Sequence, residues 1–74
     1  MTMIEVQDAY IARVAAAHAK IGPRSAGIAF NRSKRAARKE AAARLVKIGY
    51  SESDAAFIIR DAHDIFWLEV NARD

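Results

Sequence analysis

Apolar residues recur at helical spacing in three separate stretches of the chain. In the first, Ile4, Ile11, Val14 and Ile21 fall on one side, with Gln7 and His18 completing the stripe and Met3, Val6, Tyr10 and Ala17 widening it. This predicts a helix over about residues 2–21. Glu5 and Asp8 near its start and His18 and Lys20 near its end suit the helix dipole. Gly22 followed by Pro23 supplies a stop.

A second helix is predicted over about 26–48. Its apolar line is Phe30, Ala37, Ala41, Leu45 and Ile48. Ser25 and Asn31 are both candidate caps. A start at Asn31 would crowd Arg32, Lys34 and Arg35 at the positive helix end, so the earlier start is favoured, with Gly27 weighing weakly against it. Gly49 ends the helix. A third follows over about 52–71, opened by Ser51 and Asp54 as a capping-box-like pair. Ala55, Ile58, Ile59, Ala62, Ile65, Phe66 and Glu69 trace one face of it, while Phe57, Trp67, Leu68 and Val70 fall outside. The short Gly49–Ser51 link forces the second and third helices to fold back or to cross steeply. The pattern therefore predicts a single all-α domain over residues 1–74. It has three helices, the last two forming an antiparallel hairpin with the first lying across them.

Composition narrows the means of holding such a fold. A chain of 74 residues buries only ~60% of its unfolded surface. With no cysteine it has neither disulfides nor thiolate metal sites. Close alanine-rich packing or oligomerisation is left. The surplus apolar surface of the third helix argues for a second copy, so a homodimer is expected. No apolar run approaches the ~20 residues of a membrane span, and the N-terminus lacks the order of a signal peptide, which makes a soluble cytoplasmic protein the expectation.

Charge divides the chain into blocks. Residues 1–23 are neutral, residues 24–50 carry +7 and residues 51–74 carry −4, within a net charge of +3. Such asymmetry points to a charged partner. In the basic block Arg32, Arg35, Arg38 and Lys39 recur three or four residues apart and are expected to form one exposed ridge. That spacing suits a nucleic-acid backbone, whose counterions such a ridge displaces. It also suits an acidic host protein, or a merely solvated face. Phe30, the nearest aromatic, reads as core rather than as a base-stacking platform. Major-groove reading by the third helix is disfavoured because it opens on Glu52 and Asp54, which repel phosphates.

Catalysis has little support. His63 lies between Asp61 and Asp64, but helix neighbours do not face one another, and no serine or cysteine nucleophile accompanies it. His18 lies on an apolar stripe and reads as a core or interface residue. Neither a cofactor nor a small-molecule substrate is expected.

The segment LVKIGYSESDA, Leu45 to Ala55, resembles the first turn of ubiquitin-associated domains and of the C-terminal domain of RuvA. Those show leucine, then a Met/Leu-Gly-Phe/Tyr turn, then a capped helix with alanine. No binding function is carried over from the resemblance; were there one, Ile48, Gly49 and Tyr50 would be its loop. The likeness spans 11 of the 74 residues, and the apolar pattern runs on to Val70, past the short second helix of those domains.

The leading expectation is a non-catalytic protein whose basic helix meets nucleic acid. The rival is a small inhibitor or adaptor of the kind encoded by phages and mobile elements, which blocks a host protein or nucleoprotein complex. Its anchors would be Trp67 and Tyr50, read as exposed aromatics, with Phe57 as a further interface candidate. A third possibility is a pure oligomerisation module.

Overall fold

Thr2 and Glu5 close the start of the first helix reciprocally. The Thr2 N–H donates to Glu5 Oε1 at 3.1 Å, and the Glu5 N–H donates to Thr2 Oγ1 at 3.2 Å. This is a full capping box, and it draws the Glu5 carboxyl below its ordinary pKa. In the computed structural model, which describes residues 1–21 and 27–72, the helix so begun is α1 (Met3–Ile21). It is followed by α2 (Ile28–Lys47) and α3 (Glu52–Ala72). Among the described residues there is no strand, and no helix is long and apolar enough to cross a membrane. The Gly22–Pro23 stop and the Ser25 cap fall outside the described residues.

α2 begins between the two alternatives considered above. Gly27 is its N-cap, in extended conformation and without a side-chain cap bond. Its first turn is free of charge, so Arg32 lies beyond the turn where cations are most costly. At the other end, the Gly49 N–H reaches the Val46 carbonyl at 3.1 Å and the Tyr50 N–H reaches the Leu45 carbonyl at 3.0 Å. With Gly49 at φ +117°, this is a Schellman stop. Ser51 then caps α3, its hydroxyl accepting from the Asp54 N–H at 3.1 Å.

The hinge makes α2 and α3 an antiparallel hairpin. Val46 lies beside Glu52 near the hinge, Arg38 meets His63 midway, and Phe30 meets Trp67 edge-on at 6.3 Å at the far end. The first helix does not lie across this pair; it runs along both. It is antiparallel to α2, with Val6 near Arg44, Arg13 on Glu40 and His18 against Phe30. It is parallel to α3, where Gln7 Nε2 donates to the Ile58 carbonyl at 3.0 Å and His18 meets Trp67. The reason is that its contacts extend from Gln7 on α3 to His18 on both neighbours, a length that a helix lying along the pair covers.

The core is Val6, Tyr10 and Val14 from α1; Phe30, Ala37, Ala41 and Leu45 from α2; and Ala55, Ile59, Ala62 and Phe66 from α3. Four of these are alanines, which lets the helices approach closely. Two expectations are corrected. Ile4 is 63% exposed and Ile65 is 42% exposed, so the inner face of α1 is turned toward Val6 and Tyr10, and that of α3 excludes Ile65. The third helix also continues unbroken to Ala72, unlike the short helix of the domains that the hinge resembles.

Candidate functional site

The buried residues of α2 mark its inner side, and its basic residues divide around the rest. Arg32, Arg35, Arg38 and Lys39 are all exposed. Helical geometry places Arg32 and Lys39 opposite the buried line, with Arg35 on the shoulder. Arg32 and Arg35 border a shallow hollow with Ile28 and Asn31. Arg38 turns away from them toward α3. There it borders a hollow of about 360 Å³ with Ala56, Arg60, His63 and Asp64. The single ridge expected from spacing is therefore an outward row of three, with Arg38 as its link to Arg60.

Arg60 was not singled out in the sequence, although the signal was present. Arg38 and Arg60 are equally far from Gly49, so a hairpin folded at that glycine brings them level.

The acid that could neutralise the row points elsewhere. Glu40 faces α1, where one carboxylate oxygen meets Arg13 and the other accepts from Arg44 at 2.8 Å. Among the described residues, no carboxylate lies within 4.0 Å of the cationic groups of Arg32, Arg35, Arg38 or Lys39.

His63 lies behind Arg38 and is half-buried. The Trp67 indole N–H donates to its Nε2 at 2.8 Å, and the Tyr10 hydroxyl lies 3.3 Å from its Nδ1. Indole can only donate, so Nε2 is the acceptor; the neutral ring then carries its proton on Nδ1 and donates it to the Tyr10 oxygen. Burial lowers the His63 pKa, and the charges of Lys34 and Arg38 lower it further, against a smaller upward pull from Asp64. Burial likewise raises the Tyr10 pKa, with Arg38 opposing. His63 thus links α1 and α3 as a neutral ring, beneath the charges of α2.

The three interface aromatics part company. Tyr50 is half-buried in the hinge and packs on the core, and Trp67 is half-buried among His18, Phe30, His63 and Phe66. The expectation of an exposed Trp67 and Tyr50 is corrected: both are held by hinge and core contacts. Phe57 is 69% exposed, as is Leu68, which the sequence reading did not single out as a contact.

No protein-family model, curated protein or solved structure matches the chain.

Proposed function

We propose that this protein is a non-catalytic nucleic-acid-binding module that lays α2 along a phosphate backbone. The observation that carries the reading is the outward row Arg32, Arg35 and Lys39, exposed and without a carboxylate partner among the described residues. Cations so placed meet water or an external anion, and a polyphosphate gains from releasing its counterions to them. Arg38 and Arg60 extend the positive surface over the α2/α3 edge. Phe30 is buried and Trp67 half-buried, which leaves contacts to phosphate rather than stacking on bases. α3 opens on exposed Glu52 and Asp54, which is unsuited to reading a major groove.

Gel-shift titration at several salt concentrations tests this. Replacing Arg35 and Lys39 by alanine should weaken binding about equally for all sequences and lower the salt slope by about two units. Helicity should stay intact, since alanine favours helix. Absence of binding to single- and double-stranded DNA and RNA at low salt overturns the reading. One observation favours a second reading, an inhibitor or adaptor that binds a host protein: Phe57 and Leu68 stand exposed on α3. Under that reading Phe57→Ala abolishes the complex, and nuclease changes nothing.

A further inference from the structure

The outer sides of α2 and α3 carry matching stripes. On α2, Ile28, Arg32, Arg35 and Lys39 are exposed at steps of four, three and four residues. On α3, Phe57, Asp61, Asp64 and Leu68 are exposed at the same steps. Residues at this spacing lie in one row on a helix. The first row is basic with an apolar end, and the second is acidic with apolar ends.

We infer that the acidic row of α3 is a docking surface for the basic row of α2 of a second copy of this chain. Laid antiparallel, the rows put Ile28 on Leu68, Arg32 on Asp64, Arg35 on Asp61 and the stem and charge of Lys39 on the ring of Phe57. Each contact is favourable: apolar on apolar, two guanidinium–carboxylate pairs, and a cation over an aromatic face. Phe57 and Leu68 are each 69% exposed and Ile28 79%, so all three hold apolar area that the isolated chain leaves in water. A symmetric contact of α3 with another α3 would set Asp61 and Asp64 against like charges, which selects α2 as the occupant.

Within one chain the two rows cannot meet, because both point away from the bundle's core. The contact therefore joins two different patches: it closes a symmetric pair where both α2-on-α3 contacts form at once, and otherwise runs head-to-tail into a ring or an open chain. It shares Arg32, Arg35 and Lys39 with the proposed nucleic-acid surface, so on one molecule the two uses exclude each other. The inference itself does not require nucleic-acid binding.

Sedimentation equilibrium across the micromolar range, at low and moderate salt, tests it with two charge-reversed proteins. One carries Asp61→Lys and Asp64→Lys, the other Arg32→Glu and Arg35→Glu. All four positions are exposed, and circular dichroism is used to check that both proteins fold. The wild-type mass should rise with concentration and fall with salt. Each reversed protein alone should associate roughly a hundredfold more weakly, because like charges then face each other. Mixing the two restores complementary rows and should restore association. A wild type that stays monomeric, reversals that leave its association unchanged, or a mixture that fails to reassociate would each overturn the inference. The Asp61→Lys, Asp64→Lys protein keeps its α2 row, so its gel shift reports on nucleic-acid binding separately.

Discussion

Trp67 donates its indole N–H to Nε2 of His63 at 2.8 Å, one helical turn back along α3. The bond exists only while His63 is neutral, because a protonated imidazole has no acceptor left. His63 also faces Tyr10 from α1 and Lys34 and Arg38 from α2, with Asp64 beside it on its own helix. The aromatic cluster of the three helices is thus tied to one protonation state.

This predicts a pH dependence of stability. The folded state holds the His63 pKa below the unfolded value of about 6.5, so the unfolded chain binds the proton more readily. The stabilisation is complete above about pH 6.5 and is lost as pH falls from there through the folded pKa. The chain has a single tryptophan, so its fluorescence reports the site directly. The emission should change with a midpoint below about 6.5. That step should vanish in His63→Gln and persist in His18→Gln. A midpoint above the unfolded value would contradict the assignment.

Gly49→Ala should destabilise the hinge. A Cβ there meets no atom within 4 Å, so crowding plays no part, and the cost is that of φ +117° for an L residue. About 1–2 kcal/mol is expected, seen as a drop of roughly 4–8 °C in Tm for each kcal/mol. An unchanged Tm would mean that the Schellman stop contributes nothing to the fold.

Leu45→Ala should cost about 2–5 kcal/mol in urea unfolding. Leu45 is fully buried and carries the carbonyl that receives the Tyr50 N–H, so the cavity opens beside the hinge. A domain of this size has only about 4–11 kcal/mol of stability, so the variant should be partly unfolded at moderate temperature. A loss below about 1 kcal/mol would mean that the site collapses to fill the space.

Glu40→Gln should behave oppositely to its appearance. Glu40 takes two arginines, yet all three side chains are nearly half exposed, so less than about 1 kcal/mol of stability should be lost. Removing the one acid of α2 should tighten nucleic-acid binding and steepen its salt dependence. Weaker binding in this variant would count against α2 as the interface.

The local signals in the sequence determined the elements. Ser51 before Asp54 and Gly49 before the next cap act through bonds spanning three to five residues, so they can be read without knowing the fold. The Thr2–Glu5 box was equally legible, although only the charge of Glu5 was read there. The basic block and its single acid were also plain. Tertiary structure decided which way each helix turns. α1 has apolar residues around more than half its circumference, so a stripe through Ile4 and Ile11 and one through Val6 and Tyr10 are both allowed by spacing. Close approach to α2 and α3 selected the second and left Ile4 in water. The same rotations turned Arg38 from the outward row toward Arg60, and joined Tyr10, His63 and Trp67 across two helices. Contacts between residues more than fifty positions apart depend on how three surfaces fit at once, and no single helix's pattern contains that information.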